Sequence, residues 1–306
     1  MVRRPASAEL VDSAEPALTD QRERLKYGLS LTMGEALTTL LEYLVFLTME
    51  GSIYRAAFPS TTDLNLLQHL ARIIYRSLST LLFIYWISFR HSSTFGLDVG
   101  VIPERLGMFQ MRLSPLFFKF VAFQFVSNAV VVFIHYVNDS SLITVGNLIE
   151  SLRNPSTMFD MLVIASIREE FLFRGIMSLG VARRYGRIQS EAIAVIPSLL
   201  FASVHLLNFQ SSRYTPSYVC MQITLSLLIG LVYAIRLRVT GCLWETILLH
   251  ATNNFLASFV RTQDKLDLTA PIIMIPLMHT FIVYGLILRN GWPAASSDDE
   301  TAIKQE

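Results

Sequence analysis

The chain has 306 residues, of which 52% are hydrophobic and 16% are charged, with a formal net charge of +1. Soluble domains carry about 25% charged residues, so this composition is typical of a membrane protein. A net charge this close to zero argues against a nucleic-acid partner. Cys220 and Cys242 lie in apolar stretches without the spacing of a metal or redox motif, so we interpret them as small core residues.

Both ends of the chain are polar. Residues 1–25 mix acidic and basic side chains and lack the pattern of a secretory signal, so we predict a loosely ordered tail. Residues 291–306 are predicted to form a second tail. Between the tails, residues 26–290 are predicted to form one membrane-embedded helical domain.

Apolar stretches of about 20 residues, the length that spans a bilayer, recur through this domain. They predict an all-α, polytopic integral membrane protein with about eight transmembrane helices, although a count of seven stays open. Pro197 predicts a kink or break in the fifth. The predicted spans are 28–49, 68–89, 115–137, 157–180, 190–208, 217–236, 241–260 and 268–289.

Lysine and arginine are roughly twice as frequent in the predicted loops on the side of the two termini, which places both termini in the cytoplasm. One of these loops contains residues 100–112. This segment is compatible with an amphipathic helix at the membrane surface or with an ordinary connecting loop.

A group of charges interrupts the fourth span: Arg168, Glu169, Glu170 and Arg174. Ionised at the centre of a bilayer, they would together cost on the order of 10 kcal/mol, so they must pair, face water or serve a function. Glu170 and Arg174 are spaced i, i+4 and share a helical face, whereas Glu169 lies about 100° away. We interpret Glu170 as an orienting residue and Glu169 as a reacting one. The alternative is an ion-pair network that only holds helices together.

Two histidines follow in later spans. Phe201 and His205 are spaced i, i+4, and His250 and Asn254 repeat that spacing. One buried histidine is more often a core residue than a catalyst. Two histidines on separate spans, in a chain that also carries the acidic pair, favour a catalytic centre.

These residue types suit hydrolysis of a peptide bond. A carboxylate and an imidazole can deprotonate water and protonate the leaving amine, and a histidine and an Asn amide can stabilise the oxyanion. Alternatively, Glu169, His205 and His250 hold a catalytic Zn²⁺. The HExxH, GxSxG, GxGxxG and Walker A motifs are absent from the sequence.

Three further intramembrane carboxylates need an explanation. Glu35 and Glu42 share a face of the first span. We predict that one of them pairs with Arg168, which has no partner of its own within the fourth span. Glu245, near the start of the seventh span, is predicted to lie at the membrane interface.

The motifs EExxxR (Glu169 to Arg174), FxxxH (Phe201 to His205) and HxxxN (His250 to Asn254) follow one another on successive predicted helices. In this order, the sequence resembles the CPBP family of intramembrane proteases. That family includes the type II CaaX prenyl endopeptidases and bacterial proteins linked to bacteriocin processing or self-immunity. The resemblance covers roughly residues 157–260, where we expect the catalytic core.

The resemblance implies an eight-span, multi-pass endopeptidase in the lipid bilayer that cuts a membrane-associated peptide or protein, CaaX-like and prenylated or otherwise. It implies that Glu169 and His205 activate water and that His250 and Asn254 stabilise the oxyanion. Glu170 and Arg174 would orient them. Older descriptions of the family treat it as metalloproteases, so the resemblance leaves open whether Zn²⁺ is required.

Two other functions remain open. Some members of the family act without clear proteolysis, as membrane scaffolds or as immunity or regulatory proteins. A secondary transporter with a proton relay is the third alternative, but such proteins often have repeated halves, and the sequence shows no internal repeat.

Overall fold

The computed structural model describes residues 33–58, 64–95, 98–109, 111, 113, 115–138, 154–178, 190–211, 214–257 and, except 283 and 287, 278–289. Within these ranges every regular element is a helix. Both predicted tails and the loop 181–189 lie outside the described residues.

The described residues within 278–289 are helical. The principal helices are α1 (Met33–Ala57), α2 (Leu66–Phe95), α3 (Val101–Arg105), α4 (Pro115–Asn138), α5 (155–178), α6 (Ser190–Val204), α7 (Pro216–Thr240) and α8 (Leu243–Ala257).

Three helices in the described part of the chain are long and apolar enough to cross a membrane: Gly34–Ala57, Leu66–Ser92 and Pro216–Arg238. Shorter apolar helices cover Phe117–Val126 and Ala194–Gln210. The structure therefore supports an all-helical, multi-pass membrane protein. The count of eight spans stays a prediction.

The helix α5 departs from the regular α-helix that the sequence predicts. It begins at Pro155, where the Asn154 side chain accepts the Thr157 backbone N–H at 3.3 Å. Two π-helical segments then interrupt it, at Asp160–Ile164 and Glu170–Ser178. Such wider turns are uncommon and often occur at functional sites.

Side chains support both π-helical segments. The amide Nδ2 of Asn254 donates to the Met161 carbonyl at 3.0 Å, and the hydroxyl of Ser178 donates to the Phe173 carbonyl at 2.7 Å. These bonds satisfy backbone carbonyls in the wider turns, where the regular i to i−4 ladder is interrupted. The spacing of apolar residues in the sequence does not predict these hydrogen bonds.

The second half of α5 is the centre of the core. Every side chain from Glu170 to Ser178 is buried. Phe171 and Phe173 belong to a cluster that includes Tyr43 of α1, Phe83 of α2 and Ile247 of α8. Because α5 is enclosed on all sides here, its charged side chains face protein rather than lipid.

Residues 100–112 include a short helix packed into this core. Ile102 and Leu106 are fully buried. Gly175 gives Leu106 room, because a Cβ at position 175 would lie 2.9 Å from the Leu106 side chain. The indole of Trp244 donates to the Met108 carbonyl at 2.7 Å. Ile102 and Leu106 therefore pack against protein, whereas Phe109 and Met111 are exposed. The position of this segment at the membrane surface stays a prediction.

The helix α6 continues through Pro197 to Val204, then tightens into a 3₁₀ segment over His205–Gln210. The predicted break at Pro197 is therefore absent. The change of helical type falls instead at His205, one of the predicted site residues.

Candidate active site

Glu170 is the buried anchor of the site. Its Oε1 accepts a hydrogen bond from Arg174 Nη1 at 3.0 Å and another from His250 Nδ1 at 2.8 Å. The carboxylate has no exposed surface. The predicted i, i+4 pairing is confirmed, and Glu170 also fixes the orientation of the imidazole on α8.

Glu169 lies on the other side of the same imidazole. Its Oε2 is 3.6 Å from His250 Nε2, and its side chain is 23% exposed. The His250 ring therefore lies between two carboxylates with different surroundings. Glu170 is enclosed and paired, whereas Glu169 is accessible to a small molecule such as water.

Two aromatic rings pack against the guanidinium of Arg174. Its guanidinium carbon lies 4.2 Å from the centroid of the Phe201 ring and 5.6 Å from that of Tyr233. Cations stack favourably on such ring faces. Gly230 on α7 allows the close approach, because a Cβ there would lie 3.2 Å from Arg174 Nη2. Tyr233 and Gly230 are site residues that sequence reasoning missed, since neither belongs to a motif.

Phe201 also contacts both predicted histidines. Its ring centroid lies 5.4 Å from that of His205 and 5.9 Å from that of His250, in edge-to-face arrangements. Within the described residues, the ring nitrogens of His205 have no hydrogen-bond partner. They are therefore free to bind water or a substrate group.

Asn254 adopts a position that the sequence did not suggest. Its amide Nδ2 donates to the Met161 carbonyl at 3.0 Å and lies 3.5 Å from Ser166 Oγ. The amide thus links α8 to the first π-helical segment of α5. Its role at an oxyanion stays a prediction.

The described residues do not support the zinc interpretation. No group of three or more His, Cys, Asp or Glu side chains among them is arranged to hold a metal ion. Glu169, His205 and His250 are therefore not gathered as a ligand set.

The predicted partner of Arg168 is wrong. Glu50 forms the ion pair, with Arg168 Nη2 3.0 Å from Glu50 Oε1. Glu42 pairs with Arg90 at 3.5 Å. The predicted first span ended before Glu50, but α1 continues to Ala57, and this extension brings Glu50 to α5.

Glu245, predicted to lie at the membrane interface, is buried between helices, and its depth in the membrane stays a prediction. The side chain is fully buried, and its Oε1 accepts from Arg236 Nε at 2.7 Å. The Arg236 guanidinium in turn lies 5.3 Å from the centroid of the Phe120 ring. A carboxylate near a helix end is thus enclosed by the neighbouring helices α4 and α7.

The fold and this site together define a class: an all-helical membrane protein with a buried carboxylate–imidazole centre. The family model described as type II CAAX prenyl endopeptidase Rce1-like matches residues 152–256. The match includes all six predicted site residues and confirms the resemblance. Searches of curated proteins and of solved structures give no match.

Proposed function

We propose that the protein is a CaaX-type endopeptidase that hydrolyses a peptide bond in a membrane-associated protein. One observation carries the proposal: in the family-matched domain, the His250 imidazole lies 2.8 Å from Glu170 and 3.6 Å from Glu169. Two carboxylates in contact with one imidazole, with one of the carboxylates accessible, supply groups that water activation requires.

In the proposed mechanism, Glu169 and His205 bind the reacting water, since neither side chain has a hydrogen-bond partner among the described residues. They take its proton as it attacks the scissile carbonyl, and they return a proton to the leaving amine. Glu170 holds Nδ1 of His250, so that a protonated His250 directs its Nε2–H towards the developing oxyanion. Arg174 neutralises Glu170 and keeps its carboxylate in place.

The substrate follows from the family and from the setting. The family's description names prenyl endopeptidases. A site enclosed by apolar helices suits a peptide held at the bilayer by a lipid or by its own apolar residues. We therefore propose a CaaX-like prenylated chain or another membrane-associated protein as the substrate, with the lipid bilayer as the environment of the enzyme.

The test is cleavage of a quenched-fluorescence peptide library, with and without prenyl groups, by purified protein in detergent. Glu169→Gln is expected to lower kcat about 10²–10⁴-fold, the usual contribution of a general base. Glu42→Gln, which changes a carboxylate outside the site, is the matched control and should retain activity. A parallel assay with a chelator reports any metal requirement.

The result that contradicts the proposal is a folded wild-type protein that cleaves none of the peptides. It would favour the non-proteolytic scaffold or immunity role.

A further inference from the structure

A second ion cluster, with a buried centre and a partly exposed edge, lies beside the candidate active site. It joins Glu50 of α1 and Arg76 of α2 to two residues of α5, Asp160 and Arg168. Arg168 Nη1 and Nη2 lie 3.1 and 3.0 Å from the two Glu50 oxygens, which is a bidentate pair. Arg76 Nη1 lies 2.7 Å from Glu50 Oε2, and Arg76 Nε lies 3.4 Å from Asp160 Oδ1.

Arg168 is fixed from several directions. Its Nε donates to Thr80 Oγ1 at 2.8 Å, and its Nη2 also donates to the Arg76 carbonyl at 3.3 Å. The guanidinium carbon lies 5.5 Å from the centroid of the Phe46 ring. Since each guanidinium nitrogen has a partner, α1 and α2 determine where this side chain lies.

The cluster contacts α5 close to Glu169, where the rotation of the helix sets the direction of that side chain. Asp160 begins the first π-helical segment, and Arg168 immediately precedes Glu169. A helix that changes between α and π turns has no single regular geometry, so contacts along its length must set the direction of each side chain. The direction of Glu169 decides its 3.6 Å approach to His250.

We propose that Glu50 and Arg76 are positioning residues for hydrolysis: through Arg168 they set the rotation of Ala165–Glu169 and keep the Glu169 carboxylate facing His250. Both residues lie outside the family-matched region 152–256. The inference rests on the proposed function, and it adds that α1 and α2 take part in building the site.

The first test is kinetic. Glu50→Gln is expected to lower kcat about 10–100-fold, because misplacement of a reacting group by about 1 Å costs up to 10²-fold. KM should stay within about twofold of wild type, since no substrate contact is lost. Glu50→Asp, which keeps the charge, should recover part of kcat. Glu42→Gln is the matched control, because its ion pair with Arg90 joins α1 to α2 without a residue of α5.

The second test does not depend on hydrolysis. Glu169→Cys is labelled with a water-soluble maleimide in a background with Cys220→Ser and Cys242→Ala, which removes both native thiols. Adding Glu50→Gln should change the labelling rate at least about threefold, because the exposure of this position depends on the rotation of the segment. Adding Glu42→Gln should leave the rate unchanged.

The proposal requires both effects of Glu50→Gln. Unchanged labelling overturns it even if kcat falls, since the loss then has another cause. Unchanged kcat overturns it even if labelling changes. If the wild-type protein cleaves no peptide, the proposed function and the hydrolytic part of this inference both fail. The labelling rates still decide whether Glu50 sets the rotation of the segment.

Discussion

Glu169 and Glu170 are neighbours in the sequence and differ completely in their surroundings. Glu170 is enclosed and holds Arg174 and His250, whereas Glu169 keeps 23% of its side chain exposed. A residue fixed by two strong charge-assisted bonds is suited to orientation, and an accessible one is suited to reaction. Two identical chemical groups on one helix turn therefore lie in surroundings that favour different roles.

Glu170→Gln is expected to destabilise the protein strongly. The change leaves Arg174 buried without its counter-charge, and breaking a buried pair in this way costs about 3–5 kcal/mol. Thermal unfolding in detergent measures the loss. Arg90→Gln, which breaks a half-exposed pair, should cost at most about 1 kcal/mol. Equal losses in the two variants would contradict the buried pairing.

Sequence spacing predicted contacts within a helix and failed for a contact between helices. The Glu170–Arg174 pair follows from the i, i+4 rule, and it is observed at 3.0 Å. The partner of Arg168 depends on how α1 crosses α5 and on where α1 ends, which packing decides. The predicted span stopped just before Glu50, whereas in the structure α1 continues past Glu50, and Arg168 and Arg76 pair with its carboxylate.

At the scale of elements, side chains donate hydrogen bonds to backbone carbonyls in the two π-helical segments of α5. Asn254 and Ser178 each satisfy one carbonyl in a π-helical segment, at 3.0 and 2.7 Å. The sequence could predict a helix from apolar residues here. It could not predict the first π-helical segment, because the donor to its Met161 carbonyl lies 93 residues away in the chain.

Comparing Asn254 with Ser178 separates the structural role of Asn254 from its predicted role at the oxyanion. Asn254→Ala and Ser178→Ala should each lower stability by about 1 kcal/mol, the usual net value of one hydrogen bond. If Asn254 also stabilises the oxyanion, Asn254→Ala should further lower kcat about 10²–10³-fold. Unfolding curves and peptide cleavage measure the two effects. Equal kcat in both variants would restrict Asn254 to its structural bond.

The contact between α6 and α7 depends on the absence of a side chain at position 230. A Cβ there would lie 2.9 Å from the Ser198 Cβ. Gly230→Ala should therefore destabilise the protein by about 1–3 kcal/mol through overpacking.

Gly51→Ala is the matched control for this packing prediction, because the nearest atom to its new Cβ would be 3.7 Å away. That substitution should be neutral or stabilising, as alanine favours a helix over glycine. Thermal unfolding compares the two variants, and a stable Gly230→Ala protein would disprove the close contact.

At the scale of the whole molecule, the excess of basic residues predicts the orientation in the membrane. The loop 181–189 contains Arg183, Arg184 and Arg187 and lies outside the described residues. We expect it in the cytoplasm with both termini, because positively charged loops are retained there. A reporter fused within this loop should be active on the cytoplasmic side, and one fused near position 212 on the opposite side. Activity of both on one side would disprove the topology.

The ion pair of Arg168 with Glu50 limits how far the family domain can be moved between proteins. Residues 152–256 match as a unit, but the counter-charge of Arg168 comes from α1, outside that unit. Grafted onto helices without an acidic side chain at the same depth, the domain would carry an uncompensated arginine, at a cost of about 2.5–3.5 kcal/mol in a bilayer. Whether the domain can be moved thus depends on the helices that receive it. In related sequences, a neutral residue in place of Arg168 should accompany the loss of the acid at position 50.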